Sequence, residues 1–392
     1  MMIIDYVVIL LLLSIGIIFL CLRYKNIDIW ILSYLLSLFS KKQRASGAVH
    51  IMFCFVDHFE PQWNTNDISV ERQRVDQWLQ GYPVLCENHF DADGRHPQHT
   101  FFYPEEEYRQ EHLDKLSQLC QNGYGEVEVH LHHDNDTSAN LRKTLIHFTD
   151  ILHNHHGLLT KHPVTNQIVY GFIHGNWCLD NSRADGRWCG VNDELIVLKE
   201  TGCYADFTLP SAPSETQTKK INSIYYAKQN PIKPKSHNTG LDVTVSGKSW
   251  GDLLIVQGPL TLNWKSRKFG LLPRIEAADI RTSILPIMER VDLWVNAGVI
   301  VKGKPNWVFI KIHTHGTQER DRPTLLGKPC NDMFSYLETQ YNDGVNYNLH
   351  YVTARETYNI IKAAEAGLEG NPNNYRDYLL KPPTYLQSVS SL

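Results

Sequence analysis

The sequence lacks the features that mark several common classes of protein. None of its eight cysteines forms a CxxC pair, so nothing supports a zinc-ribbon or thioredoxin-like site. Neither sign of charge dominates, because the sequence has 38 Lys and Arg residues and 42 Asp and Glu residues. It therefore lacks the excess of basic residues that is typical of proteins that bind nucleic acid. No internal repeat or low-complexity tract is visible in the 392 residues. The composition therefore indicates a folded protein that does not bind nucleic acid.

The N-terminus holds the one long apolar run of the sequence. Residues 3–22 contain a single charge, Asp5, and Arg23 and Lys25 follow the run. About 20 apolar residues are enough to cross a bilayer, and the flanking residues do not resemble those of a cleaved signal peptide. We therefore expect a single-pass N-terminal transmembrane anchor. The basic residues 41, 42 and 44 favour a cytoplasmic position for the rest of the chain.

Residues 27–39 are apolar but too short to cross a membrane. In a helix, six large residues would share one face: Trp30, Ile31, Tyr34, Leu35, Leu38 and Phe39. This pattern is typical of a helix that lies in the membrane interface, so membrane lipid is expected to contact residues 3–39. A helix packed on the folded domain is the alternative.

From residue 48 onward, short apolar runs alternate with helical stretches. Alternation of this kind is typical of an α/β fold with a largely parallel sheet, open or closed into a barrel. Strands are predicted at 49–56, 98–103, 126–131, 168–173, 204–208, 252–257, 307–312 and 349–353, and helices at 105–121, 138–156, 193–201 and 354–366. The predicted organisation is an anchor with an interfacial helix (1–46), an α/β domain (47–369) with a long excursion at 209–250, and a loosely held tail (370–392).

Polar side chains follow most of the predicted strands. The carboxyl ends of parallel strands meet at one edge of the sheet, where active sites of such folds assemble. These residues are therefore expected to lie close together: Asp57, His58 and Glu60; His130, His132, His133 and Asp134; His174, Asn176 and Trp177; Gln257; His313 and His315; Arg355 and Glu356.

The segment EVEVHLHHDND at 126–136 carries the strongest signal for a metal. Side chains two apart on a strand point the same way, so His130 and His132 can approach one cation, whereas His133 is expected to face away. Neutral imidazoles suit zinc, iron, nickel or copper, and a carboxylate such as Asp57 would complete a three-ligand catalytic site for such a divalent metal, with zinc as the first choice. A solvated polar turn is the alternative.

Two further segments add acid–base groups. In VDHFEP at 56–61, one of the neighbours Asp57 and His58 can hold a cation while the other takes a proton from water. In KIHTHG at 311–316, His313 or His315 can protonate a leaving group. An Asx-type turn at the first segment and structural histidines at the second are the alternatives.

The order of these motifs resembles that of the polysaccharide deacetylase superfamily. The correspondence runs over roughly residues 48–360 through VDHFEP, EVHLHHDND, GFIHGNW, ELIVLKETGCYADFTLPS (which contains Asp206) and IKIHTHG. The stretches CGVNDEL, GCYADFTLPSAPS and LHYVTARE also resemble uncharacterised membrane proteins found with bacterial exopolysaccharide genes. The resemblance implies an incomplete (β/α) barrel of mostly parallel strands, preceded here by the transmembrane helix. It also implies that this helix is anchored in a bacterial inner membrane.

The sequence departs from the superfamily pattern at three positions. The acidic pair is replaced by Asp57-His58, the residue four after His130 is Asp134, and His174 stands where a loop arginine is expected. Two ligand sets therefore remain open. Either His58 binds the metal and Asp57 is the base, or Asp57 binds the metal directly.

The resemblance implies a metal-dependent hydrolase that removes acetyl groups from a polysaccharide or glycan. The expected roles are Asp57 as base, His315 or His313 as acid, His58, His130 and His132 as metal ligands, and His174, Asn176, Trp177 and Asp206 around the substrate. One alternative is a glycoside hydrolase with paired carboxylates from Asp57, Glu60 or Asp206. Another is a non-catalytic sugar-binding or assembly protein of exopolysaccharide export.

Overall fold

The computed structural model describes residues 16, 20, 22–39 and 46–386 of the chain. Thirteen strands lie within these ranges: β1 (Val49–His58), β2 (His99–Pro104), β3 (Gly125–Leu131), β4 (Thr160–Lys161), β5 (Ile168–His174), β6 (Cys203–Asp206), β7 (Ile224–Ala227), β8 (Leu241–Asp242), β9 (Leu253–Val256), β10 (Thr261–Lys268), β11 (Leu272–Glu276), β12 (Trp307–Thr314) and β13 (Tyr347–Tyr351).

Nine α-helices accompany these strands in the described ranges: α1 (Ile31–Phe39), α2 (Ile68–Cys86), α3 (Gln110–Gln121), α4 (Ser138–Asn154), α5 (Glu194–Thr201), α6 (Met288–Ala297), α7 (Arg322–Leu325), α8 (Lys328–Gln340) and α9 (Ala354–Glu365). Side-chain caps set several of their starts. Thr137 accepts from the backbone N–H of Asn140, and Thr353 forms a reciprocal capping box with Glu356.

Eleven strands form one large sheet, in which the neighbours run in the order β12-β1-β2-β3-β5-β6-β9-β7-β8. The ladders from β12 to β9 are parallel, β13 pairs in parallel with the first half of β1, and β7 pairs antiparallel with β9 and β8. The predicted α/β class with a mostly parallel sheet is therefore confirmed.

Strand β1 shows why the sheet is buried on both faces. Ile51, Phe53 and Phe55 point into one hydrophobic cluster, and the alternate residues Met52 and Cys54 point into another. A strand covered on both sides reads as a continuous apolar run, which is the pattern of VHIMFCFV. Helices α2 to α5 contribute to the first cluster, and α9 contributes to the second.

The two ends of the sheet are linked by a connecting segment rather than by a regular ladder. Phe309 N in β12 donates to Val299 O at 2.8 Å, and Lys302 N donates to Val243 O, just after β8, at 2.9 Å. An isolated bridge joins Thr244 to Lys302. The sheet is therefore strongly curved, and its parallel strands direct their carboxyl ends toward a common edge.

The N-terminal predictions require correction. Among the described residues no helix is long and apolar enough to cross a membrane. By this finding, the predictions of a transmembrane helix and of a single-pass membrane localisation are wrong. Of the predicted span 3–22, only residues 16, 20 and 22 are among those described.

Helix α1 lies within the stretch that the sequence analysis assigned to the membrane interface. Trp30 and Tyr34 are buried against Leu260 and Leu262, as in the alternative of a helix packed on the domain, while Phe39 on the predicted apolar face is exposed.

The C-terminal segment is held more firmly than the sequence suggests. Arg376 is buried and pairs with Asp91 and Glu356, at 3.0 Å in each case. Asn359 in α9 donates to the carbonyl oxygens of Arg376 and Leu380. The expectation of a loosely held tail is therefore wrong for residues 370–386, and residues 387–392 lie outside the described part of the chain.

Candidate metal centre

A cavity of about 220 Å³ opens at the carboxyl ends of β1, β3, β5 and β12. The ladders bring these ends together: Asp57 is in register with Thr314, and Leu131 with His174. The cavity is lined by His58, Glu60, Trp63, His132, Asn176, Trp177, His315 and Gln318. Four segments that are distant in the sequence thus meet at the edge where a parallel sheet commonly places its site.

Glu60 stands between two histidines of β3 and its extension. His130 Nε2 and His132 Nε2 each lie 3.2 Å from Glu60 Oε1. His130 is fully buried, Glu60 is nearly so, and His132 is partly open to the cavity. His130 and His132 therefore do share a face, but the carboxylate that meets them comes from Glu60 and not from Asp57.

The other ring nitrogen of each histidine has an acceptor of its own. His130 Nδ1 lies 2.7 Å from the carbonyl oxygen of Ile173, and His132 Nδ1 lies 2.5 Å from Glu106 Oε1. In the neutral form of each ring, Nδ1–H donates to its own acceptor, and Nε2 carries a free lone pair. Two imidazole lone pairs and a carboxylate oxygen then face one another, an arrangement that calls for a positive charge between them.

Burial and neighbouring charges act differently on these three groups. Burial by itself raises the pKa of the Glu60 carboxyl, but the imidazoles of His130 and His132 outweigh it and hold the pKa well below its usual range. Burial lowers the pKa of His130, which favours its neutral form. Burial also disfavours charge on His132, but Glu106 and Glu60 raise its pKa to about 10. A protonated His132 can donate a hydrogen bond to Glu60, while Nε2 of His130 still carries a lone pair.

The donor set fits a divalent cation. A tetrahedral zinc ion about 2.0–2.1 Å from each nitrogen or oxygen donor holds those donors about 3.3 Å apart, close to the 3.2 Å between each imidazole and Glu60. Two imidazoles and one carboxylate form an open catalytic set, and the contact with Glu106 orients His132 as carboxylates orient zinc-bound histidines.

A second pair of histidines completes the wall of the cavity. The rings of His58 and His315 are stacked with centroids 4.6 Å apart, and the Trp177 ring lies 6.2–6.3 Å from both. Burial lowers the pKa of His58 well below its usual value, and His315 and His130 add to this effect. His58, Glu60 and His315 form an overlapping group of donor atoms that could also hold a metal.

Asp57 is placed on the opposite side of β1 from His58. Its carboxylate is fully buried, accepts from the backbone N–H of Gly316 at 2.6 Å, and lies 2.9 Å from His99 Nε2. A Cβ on Gly316 would come within 2.0 Å of Asp57 Oδ2. The structure therefore does not bring Asp57 to the cavity. Asp57 instead holds the loop that carries His315.

Four other predicted site residues are also absent from the cavity lining: His130, which contacts Glu60 from a fully buried position, and His313, Asp206 and His174. His313 is buried, and burial lowers its pKa well below the usual value. Asp206 is buried beside Thr208, whose hydroxyl donates to it at 2.6 Å, and burial raises its pKa to about 7. His174 is buried and contacts His133 and Glu194. By contrast, Asn176 and Trp177 line the cavity.

Sequence reasoning missed two carboxylates of the site. It expected Glu60 at the edge of the sheet but gave it a role only in the glycosidase alternative, although Glu60 follows His58 by two residues, the spacing of side chains that share a face. It read Glu106 as the start of a helix, but residues Glu105–Glu107 form a separate 3-10 turn beside β3. The position of that turn depends on the fold and leaves no signal in the sequence.

Four groups of histidine, cysteine and acidic residues in the described part of the chain could hold a metal ion. Two of them share Glu60 in the cavity, and a third is the buried group of His133, His174, Cys189 and Glu194. The fourth contains Asp91 and Asp93, whose carboxylates already pair with Arg376.

Comparison with known proteins adds no independent assignment. The chain matches no family model and no curated protein in sequence.

Proposed function

We propose that the cavity binds a zinc ion and that the protein hydrolyses acetyl groups from a polysaccharide or glycan. One observation carries the proposal: two imidazoles whose Nδ1 atoms already have acceptors turn their Nε2 atoms toward the same carboxylate oxygen of Glu60, which lines the cavity with His132. This proposal uses the ligand set Glu60, His130 and His132, in place of the set that included His58.

The metal would supply Lewis acidity, polarising an acyl oxygen and activating water for attack. In the proposed reaction water adds to the acyl carbon, the C–N or C–O bond to the sugar breaks, acetate leaves, and the sugar nitrogen or oxygen gains a proton. Two proton transfers are therefore needed, one from water and one to the leaving group.

His58 and His315 are positioned for these transfers. The lowered pKa of His58 keeps its ring neutral near pH 7, so it can accept a proton from water. His315 is stacked on His58 and also lines the cavity, and we assign it to the leaving group. The side-chain amides of Asn176 and Gln318 line the same space and can donate hydrogen bonds to acyl or sugar oxygens.

The substrate class is inferred from the aromatic walls. Trp63 and Trp177 both line the cavity, and Trp63 is about one-third exposed. Flat apolar faces beside amide and imidazole groups are suited to the apolar face of a sugar ring and its hydroxyl groups.

The glycoside hydrolase alternative has less support. That chemistry uses two carboxyl groups across the scissile bond, and Glu60 is the single carboxylate among the described residues that line the cavity. Asp57 and Asp206 are both fully buried elsewhere.

The test combines metal analysis with acetate release. Purified protein is assayed on a panel of N- and O-acetylated saccharides, then after chelation, and again after zinc is restored. We expect chelation and His130→Ala to abolish acetate release, and His147→Ala, which changes an exposed histidine in α4, to leave it unchanged.

Two results would overturn the assignment. Acetate release that survives both chelation and His130→Ala would exclude a metal-dependent reaction at this site. Sugar binding without acetate release, and without any effect of the chelator, would identify a binding protein.

A further inference from the structure

A second group of donor atoms lies behind the cavity and outside the proposed reaction. It contains His133, which follows β3; His174, which ends β5; Cys189, in the loop between β5 and α5; and Glu194, the first residue of α5. One donor atom from each of the four residues lies within 4.8 Å of all the others. The side chains of His133, His174 and Glu194 are at most 7% exposed, and Cys189 is fully buried.

The two imidazoles of this group face each other through atoms that both lack a proton in the neutral ring. His133 Nδ1 lies 3.0 Å from Asp136 Oδ2, and His174 Nδ1 lies 2.6 Å from the carbonyl oxygen of Gly175. Each Nδ1–H is therefore used, and each Nε2 presents a lone pair. These two Nε2 atoms are only 2.8 Å apart.

Glu194 brings a negative charge to the same point. Its Oε1 lies 3.2 Å from His133 Nε2 and 3.3 Å from His174 Nε2, and its Oε2 accepts from the backbone N–H of Asp180 at 2.5 Å. Within the residues described by the structure, Glu194 forms no ion pair with a lysine or arginine. A buried carboxylate normally has a cationic partner, so Glu194 calls for a positive charge between the two imidazoles.

Cys189 supplies the fourth donor. Its Sγ lies 3.3 Å from Glu194 Oε2, and the backbone N–H of Asn181 points at the sulfur from 3.3 Å. In the metal-free chain the thiol donates to Glu194, and a bound metal would take the place of that proton, because cysteine binds metals as the thiolate.

We propose that His133, His174, Cys189 and Glu194 bind one zinc ion as a closed, structural site. A thiolate, a carboxylate and two neutral imidazoles around Zn²⁺ give a net charge of zero, which suits full burial. Four protein ligands of these types form the tetrahedral set typical of structural zinc, with no position left for substrate. The nitrogen–carboxylate spacings already match such a site, and the two Nε2 atoms would separate by about 0.5 Å.

The position of this site gives it a role in shaping the cavity. The loop that it would fasten begins with Gly175, Asn176 and Trp177, and the last two line the cavity. Both residues have positive φ angles, 55° and 57°, which non-glycine residues adopt only when surrounding contacts hold them. A zinc ion that joins His174 on one side of this turn to Cys189 on the other would hold these conformations.

Cobalt substitution separates this site from the cavity, because only the buried group contains sulfur. The full chain is stripped of metal, loaded with Co²⁺, and examined for the sulfur-to-cobalt charge-transfer absorption. We expect two metal equivalents and this absorption in the unaltered protein. Cys189→Ser is expected to lose the absorption and one equivalent, whereas His130→Ala should lose one equivalent and keep the absorption.

Cys178→Ser provides the matched control, because Cys178 is a buried cysteine of the same loop outside the donor group. It should keep both equivalents and the absorption. The absence of the absorption from unaltered cobalt protein would overturn the proposal, and this result does not depend on the folding of any variant. Persistence of the absorption in Cys189→Ser would also overturn it. Because the absorption does not depend on acetate release, it tests this site whether or not the proposed hydrolase activity is found.

Discussion

Substitution of Glu106 tests the inferred orientation of His132. Glu106 Oε1 accepts from both the ring Nδ1 and the backbone N–H of His132, at 2.5 and 3.1 Å. Loss of such a supporting contact typically weakens metal binding about 10- to 100-fold, which corresponds to about 1.4–2.7 kcal/mol. Glu106→Gln keeps an acceptor oxygen and removes the charge, so we expect a loss of about tenfold. Glu106→Ala removes both, so its loss should approach 100-fold.

The assay is a zinc titration against a chromophoric chelator, read as the affinity of the metal equivalent that His130→Ala removes. Glu105→Gln is the matched control, since Glu105 is the adjacent carboxylate of the same 3-10 turn, and its affinity should stay close to that of the unaltered protein. Circular dichroism verifies that each variant folds. Equal zinc affinities for Glu106→Ala and Glu105→Gln would refute the inferred role of Glu106 and the ring orientation deduced from it.

Three further predictions follow from other contacts. Because Glu106 and Glu60 raise the pKa of metal-free His132 to about 10, zinc must displace a proton from this ring near neutral pH. The zinc affinity should therefore fall by up to tenfold per pH unit from pH 9 to pH 7, and calorimetry in buffers of different ionisation enthalpy should detect the released proton. Arg355→Met leaves Glu126 buried without its cation and should lower the free energy of unfolding in urea by about 3–5 kcal/mol, whereas Arg72→Met, at an exposed pair, should change it little. Gly175→Ala places a Cβ 2.3 Å from the ring of His132, so zinc affinity in the cavity should fall more than tenfold; an unchanged affinity would show that His132 is not a ligand.

The composition and hydrophobic pattern were sufficient to predict the α/β class and most of the strands. Continuous apolar runs such as VHIMFCFV have few alternatives to a buried strand, because both faces must be covered. The same reasoning failed at the N-terminus and the C-terminus. At the N-terminus, the structure shows no membrane-spanning helix among its described residues. At the C-terminus, it buries Arg376 in a segment that has no apolar run.

The sequence by itself predicted that polar residues after β1, β3, β5 and β12 would meet, because the carboxyl ends of parallel strands lie at one edge of the sheet. Gln257, Arg355 and Glu356, which it placed in the same group, do not line the cavity. It also determined that His130 and His132 share a face, through the two-residue period of a strand. The tertiary structure decided which carboxylate meets them. Asp57 and His58 point to opposite sides of β1, so Asp57 is turned toward Gly316 and His99, and Glu60 enters the cavity after the strand ends.

The position of His133 also depends partly on local spacing in the sequence and partly on the tertiary structure. Strand alternation correctly predicted that it faces away from His132, but the place to which it turns is set by residues 41 to 61 positions later in the chain. The loop and helix after β5 return Cys189 and Glu194 to His133 and His174. Long-range packing of this kind is not encoded in local spacing, so only the folded chain places these four side chains around one point.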